Sequence, residues 1–319
     1  MADKKKIDLV AKKKLFISIP IVLLAVLVAF TFLFGAVVSI EFTGGTILTY
    51  SYTGEISTSR IASEIESLNF GAVTVTTGSV FNSDVELINV TFSSNQGLSA
   101  DELGLVTQRL ESEFSGNNIN LVNNQNVSPG TGTRFFLKCL VAFVFAFIMF
   151  ILYIALRFKK IGGWPAGIFA LTALMVDVLV VVSVFVFFRL PIDSIFMAVV
   201  LAVMGYSING TIIIFDRVRE NKTLHGLKLT SRELVNLSVR QSLVRAINTT
   251  VTTGLALLVL SIVAVIYGVG TILNFAFPML IGLISGLYTS LCLLGTLWVM
   301  WQERAAGGKK HGNKKEAKA

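Results

Sequence analysis

The sequence predicts an α-helical polytopic membrane protein with six transmembrane helices and a small α+β ferredoxin-like extracytoplasmic domain in the first loop. Three observations predict it. Of 319 residues, 54% are hydrophobic and only 14% charged, where a soluble domain carries about 25% charged residues. Six apolar runs are long enough to cross a hydrocarbon core of about 30 Å, which takes about 20 residues. Between the first two runs lies a stretch of ordinary soluble composition in which strand and helix patterns alternate.

In chain order, residues 1–14 read as a basic cytoplasmic tail, with lysines crowding Lys4–Lys14, and Leu15–Val38 as the first span. That run is too long for the roughly 7–15-residue core of a signal peptide. No small-x-small cleavage site follows it, so it reads as an uncleaved span. Residues 39–133 read as the extracytoplasmic domain and its linker. Thr46–Tyr52 is a strand candidate. Ser57–Asn69 places Ile61, Ile65 and Leu68 at helical spacing. Ala72–Thr77 alternates with period two, and Asp84–Phe92 is β-rich. Ser99 with Glu102 forms a capping box before Leu103, Val106, Leu110 and Phe114, one apolar helix face. Ile119–Val122 closes the series. The order β-α-β-β-α-β is the split βαβ arrangement, with two helices on one face of a sheet. Asn123–Thr133, rich in Asn, Gly, Ser and Pro, reads as a mobile linker.

Residues 134–301 carry the other five spans, near Phe135–Leu156, Trp164–Phe188, Ile192–Phe215, Leu243–Tyr267 and Phe275–Trp301. The sixth is over-long, so it tilts or begins as an interfacial segment near Tyr267–Asn274. The loop 216–242 holds a second capping box, Thr230 with Glu233, opening a helix that runs into span five and lies along the membrane surface. Residues 302–319 are a second basic tail. The net charge of +8 follows the threading. Lys4–Lys14, Arg157–Lys160, Arg217–Arg245 and the tail from Arg304 fall on one side, which places both termini on the cytoplasmic side of an inner membrane. These clusters read as topology signals and contacts to anionic lipids, not as a nucleic-acid site. Cys139 and Cys292 lie inside spans and read as packing residues. His225 stands alone, and no metal-ligand spacing or cofactor motif occurs.

Ionisable groups at membrane depth cost about 2.5–3.5 kcal/mol, so each is a functional hypothesis by default. Asp177 is the one acid near the middle of a span. It reads either as a functional carboxylate or as one held by neighbouring helices for assembly. Span four carries Gly205, Tyr206, Ser207, Asn209, Gly210 and Thr211. Span five carries Asn248, Thr249, Thr250, Thr252 and Thr253, just beyond Arg245. Tight helix packing and an interior polar pathway both account for these clusters. Gly282 and Gly286 form a G-x-x-x-G that reads as packing.

These residues add up to a resemblance. Phe42-Thr43-Gly44-Gly45-Thr46 follows span one. Gly205-Tyr206-Ser207-Ile208-Asn209 lies in span four, followed at once by Asp216-Arg217-Val218-Arg219-Glu220-Asn221, and Arg245 precedes Thr249–Thr253. In this order, from Phe42 to about Trp301, the set resembles SecF, an accessory membrane subunit of the bacterial Sec protein-export machinery. The resemblance implies half of a twelve-span assembly similar to resistance–nodulation–division transporters, with a SecD-like subunit as the other half. It also implies work beside a SecY-type channel and the SecA motor on a translocating preprotein, driven by the proton motive force. No ATP site is implied, and no G-x-x-x-x-G-K-[ST] occurs. Two positions depart from the family. Gly210 stands where the family commonly has an acid, and Val176-Asp177 stands where it has His-Asp. Asp177 and Arg245 are then the remaining charged elements, with proton carriage resting mainly on the partner. Arg245 can also simply snorkel to the interface. Gly44-Gly45 reads equally as a hinge or as a tight turn into the first strand. Rival readings are a proton-driven half-transporter of a lipid or small molecule and a non-conducting scaffold for the partner. An intramembrane enzyme lacks any supporting motif.

Overall fold

The first apolar run forms helix α1, Lys13–Phe34, which Gly35 ends with a positive φ of 69°. The coordinates are a computed structural model describing residues 10–54, 56–68, 70–79, 85–93, 98–225 and 228–316. Residues 1–9 of the basic tail, Asn69, Asp84, residues 226–227 of the loop and residues 317–319 lie outside the described residues. The first span is therefore shorter than the apolar run suggests. The last residues of that run leave the helix instead, and Val38 bridges Ile192 in parallel.

A short helix α2, Ile40–Thr43, leads into the first-loop domain. Its order is β1 (Gly45–Thr53), α3 (Thr58–Glu66), β2 (Ala72–Ser79), β3 (Val85–Ser93), α4 (Ala100–Glu113) and β4 (Asn120–Val127). The sheet order is β2-β3-β1-β4, antiparallel throughout, which is the ferredoxin-like topology. Leu48, Tyr50 and Tyr52 of β1 and Ile88, Val90 and Phe92 of β3 point to one face. There they meet Ile61 and Ile65 of α3 and Val106 and Leu110 of α4. The helix periods and the sheet alternation thus bury a single apolar layer. Ser99 and Glu102 make the full capping box at the start of α4.

The predicted linker Asn123–Thr133 is a correction. Asn123–Val127 continues β4 against β1, and helix α5, Pro129–Arg157, begins two residues later. The run misleads because β4 is an edge strand whose residues are nearly all exposed. It has no apolar alternation to show.

Among the described residues six helices are long and apolar enough to cross a membrane, so the chain is a multi-pass membrane protein. After α1 and α5 these are α6 (Gly163–Phe187), α7 (Ser194–His225), α8 (Ser231–Ile266) and the run α9 (Gly270–Tyr288) through α10 (Gly295–Glu316). A π-helix, Thr289–Leu294, joins α9 to α10. No separate interfacial helix precedes the sixth span: α9 starts at Gly270, just after Gly268 with φ 66°.

The helix expected along the membrane surface is instead the first part of α8, unbroken from the Thr230 capping box to Ile266. Leu234, Val235, Ser238 and Val239 are buried on it, and Leu234, Val235 and Val239 join the core that holds Phe215 and Val218 of α7. Asn221 of α7 donates to Ser238 Oγ at 2.9 Å and to Gln241 Oε1 at 2.8 Å. These contacts hold the segment upright against α7. The bundle core is lined by Ala166, Ala170 and Leu174 of α6, Val199, Val203 and Met204 of α7, Leu294 of the π-helix and Trp298 of α10.

Candidate functional site

Asp177 is fully buried, at 0% exposure, in the middle of α6. Three hydroxyls meet it. Ser207 of α7 donates to Oδ2. Ser285 of α9 donates to Oδ1 at 2.6 Å, and Thr289 of the π-helix lies 3.0 Å from Oδ1 and 2.9 Å from Oδ2. Hydrogen bonds to a charged group contribute about 1.5–3 kcal/mol each, so the cage offsets much of the cost of the buried acid. Each hydroxyl can both donate and accept. The cage can therefore serve the carboxyl with its proton or without it.

Backbone geometry builds this crossing. A Cβ at Gly282 would come within 2.5 Å of Val203 Cγ2, and one at Gly286 within 3.3 Å of Ser207 Cβ. The glycine pair lets α9 approach α7, so its role is packing, as read from the sequence. Ser285 and Thr289, four residues apart in the sixth span, were not singled out there. Their signal was two hydroxyl positions flanking Gly286 at i,i+4 spacing, but the π-helix at Thr289 shifts helical register in a way periodicity does not reveal.

The predicted polar positions divide into two sets. Ser207 joins Asp177. Tyr206 turns to α8, its hydroxyl 2.9 Å from Thr250 Oγ1. With Asn209, Gly210, Thr249 and Ser290 it lines a cavity of about 20 Å³, room for about one water. A Cβ at Gly210 would lie 2.7 Å from Ser290 Oγ. Arg245 is exposed on α8 and is not among the partners of Asp177. Thr249 and Thr252 bond back to their own helix, at Arg245 O (2.9 Å) and Asn248 O (3.0 Å). Asn209, Asn248 and Thr252 are exposed and Thr253 half-buried. Together they form a polar seam on the outer face of α7 and α8.

The motif Asp216–Asn221 works as a fastener at the far end of the bundle. Asp216 Oδ1 accepts from Arg157 at the end of α5 (3.0 Å) and from Arg219 (2.8 Å), and Arg217 pairs with Glu220 at 2.7 Å. Exposed pairs such as these contribute about 0–1 kcal/mol each. Asn221 is buried and ties α7 to α8.

Phe42 to Thr46 is a tight entry into the sheet. Phe42 is buried against Phe135 and Phe136 of α5, with ring centroids 5.7 and 5.5 Å away. Gly44 and Gly45 have φ of 83° and 138°, and a side chain at Gly45 would overlap the Phe92 carbonyl. Thr46 Oγ1 accepts from Leu98 N–H at 3.1 Å. Beside this entry the domain is joined to the bundle. Ile192 N–H donates to Val37 O (2.8 Å) and Ser39 N–H to Ile192 O (3.0 Å). Glu41 accepts from Ser194 N–H at 2.8 Å and Asp193 from Phe196 N–H at 3.0 Å, so both carboxylates meet the first turn of α7. Burial pushes the Asp193 carboxyl up from its ordinary value, the Phe196 bond opposes this, and nearby Glu41 adds to the rise.

Six spans with an α+β domain in the first loop, and a caged carboxylate where three spans cross, define a multi-pass membrane protein that carries both a folded loop domain and an intramembrane polar site. The chain belongs to the SecD/SecF family: the family model described as "Protein export membrane protein SecD/SecF, C-terminal" matches residues 107–304. It is 32% identical to the protein translocase subunit SecF of Acidaminococcus fermentans, over 94% of this chain and 99% of that protein. It is 28% identical to the protein translocase subunit SecDF of Bacillus subtilis, over 94% of this chain but only 39% of that one. The crystal structure of SecDF from Thermus thermophilus superposes with a TM-score of 0.78 at 25% identity, covering 95% of this chain and 40% of that chain. The chain thus corresponds to about two fifths of the fused SecDF proteins.

Proposed function

We propose that the chain is the SecF half of a SecD–SecF assembly that promotes preprotein translocation through the Sec machinery with the proton motive force. The observation that carries the coupling role is Asp177, caged by Ser207, Ser285 and Thr289 from two other segments of the bundle. A change in its protonation re-sorts hydrogen bonds at the crossing of α6, α7 and the π-helix, the kind of bistable element that converts a proton into movement. The exposed seam of Asn209, Arg245, Asn248 and Thr252 is the face offered to the SecD-like partner, because polar groups at membrane depth are satisfied by protein rather than lipid. The SecY-type channel with SecA, the emerging preprotein and anionic lipids complete the set of partners. Both termini lie in the cytoplasm of the inner membrane on this reading, following the basic clusters. The chain acts as a coupling subunit and not as an enzyme.

The test is export that depends on a proton gradient, measured with Asp177→Asn. Loss of gradient stimulation, with partner association intact, is the expected result; undiminished stimulation removes Asp177 from the mechanism. A scaffold role for the chain is favoured by one observation, Gly210 in place of a titratable side chain. It predicts that Asp177→Asn leaves gradient-driven export intact.

A further inference from the structure

We propose that a phospholipid occupies the groove between α1, α6 and the start of α10, with an acyl chain along the groove and its phosphodiester held by Lys13 and Arg304. Two helix faces build the groove. On α1, Lys13, Ile17, Ile21 and Leu24 follow one another at three- and four-residue steps, so they share a face. The returning helix offers Leu293, Leu297, Met300 and Arg304 in the same way. Ile17, Ile21 and Leu24 face Leu293 and Leu297 across an open groove of about 470 Å³, backed by Met175 and Leu179 of α6. That volume lies within the roughly 300–1,000 Å³ of ordinary small-molecule sites. One turn further, the same two faces line a recess of about 290 Å³ with Lys13, Met300, Glu303 and Arg304.

The occupant follows from length, polarity and charge. Lys13 to Leu24 and Arg304 to Leu293 each span a rise of about 16 Å at 1.5 Å per residue. That is about half of a hydrocarbon core of about 30 Å, one leaflet. Inside the groove the Thr172 hydroxyl is committed to Ile168 O at 3.0 Å, so the walls offer hydrocarbon a dry surface. At the mouth, neither Lys13 nor Arg304 has an ion pair among the described residues. Two cations beside one carboxylate, Glu303, suit a phosphodiester whose headgroup also presents a hydroxyl. α1 leaves this space because it is tethered at points rather than packed along its length: Leu27 is its one buried residue. The inference rests on the functional reading only in placing this basic end at a membrane surface.

The experiment is native mass spectrometry of the full chain released from nanodiscs containing phosphatidylglycerol and diacylglycerol. One phosphatidylglycerol is expected to stay bound, with no diacylglycerol. Retention is expected to fall at least about tenfold in Lys13→Gln/Arg304→Gln, which removes two charge-assisted contacts. Leu24→Trp, which thrusts an indole ring into the groove and keeps the cations, is expected to weaken retention, while Leu24→Met preserves it. Equal retention by the double glutamine variant, or equal retention of diacylglycerol, overturns the proposal. So does a partner-bound complex that retains no lipid and forms a disulfide to the partner from Ile21→Cys. No readout uses export or a proton gradient, so a negative result leaves the role of Asp177 untouched.

Discussion

At the scale of single residues, the caged acid, the missing acid and a joint carboxylate each make a separate prediction. Replacing Asp177 by Leu leaves the Ser207 and Ser285 hydroxyls without their acceptor, at about 1–3 kcal/mol for each buried orphan. Asp177→Asn, which still accepts, is expected to melt closer to the parent in detergent. Gly210→Asp forces its Cβ against Ser290 Oγ, an overpacking that costs about 1–3 kcal/mol. Pairing it with Ser290→Gly is expected to recover most of the loss in thermal melting. Asp193 adds a pH dependence. Its folded-state carboxyl sits above the ordinary value, so the folded protein binds the proton more tightly than the unfolded chain does. Its contribution to stability is therefore fully present below the ordinary carboxylate range and declines as pH rises through the raised folded value. Asp193→Asn keeps a capping side chain on α7 and is expected to flatten that part of the melting-temperature profile. An unchanged slope would show that the joint does not feel this charge.

At the scale of elements, helix α1 shows how one missing donor is repaired. Pro20 lies inside α1 and has no N–H to give Phe16 O. The Tyr288 hydroxyl donates to that carbonyl at 2.7 Å, and the two rings meet edge to face at 6.2 Å. Tyr288→Phe keeps the ring contact but strands the carbonyl. It is expected to lower stability by about 1–3 kcal/mol, read as a fall in melting temperature of the purified chain. The six spans and the β-α-β-β-α-β order were legible because length and period carry them directly. β4 beyond Val122 was not, since an exposed edge strand of Asn and Gln has no apolar face to alternate. The upright start of α8 was not legible either. Its Leu234–Val239 stripe looks amphipathic, and only its packing in the core with Phe215 and Val218, beside the buried Asn221, shows that a helix, not a membrane surface, receives it. One of the three hydroxyls around Asp177, Ser207, was visible among the polar residues of span four. Ser285 and Thr289 were hidden by the π-helix, which breaks the periodicity by which span faces are read.

At the scale of the molecule, the outer seam of α7 and α8 makes the prediction. If Asn209, Arg245, Asn248 and Thr252 face the SecD-like partner, Thr252→Cys should form a disulfide with a cysteine on a partner span. Met149→Cys, exposed on α5, should not. The reverse pattern would move the interface. A different consequence follows from the short parallel bridge at Val37–Ser39 and Ile192, reinforced by Glu41 at Ser194. Where a chain is under tension, neighbouring backbone bonds share the load, and the stiffest connection takes most of it. A tug on the ferredoxin-like unit is therefore expected to reach the first turn of α7 as well as α5, into which β4 runs directly. From that turn of α7 a rigid rod of about 20 Å, thirteen residues at 1.5 Å each, ends at Ser207. On the proposed coupling role, the ferredoxin-like unit and the Asp177 cage of the bundle are the two ends of one crankshaft.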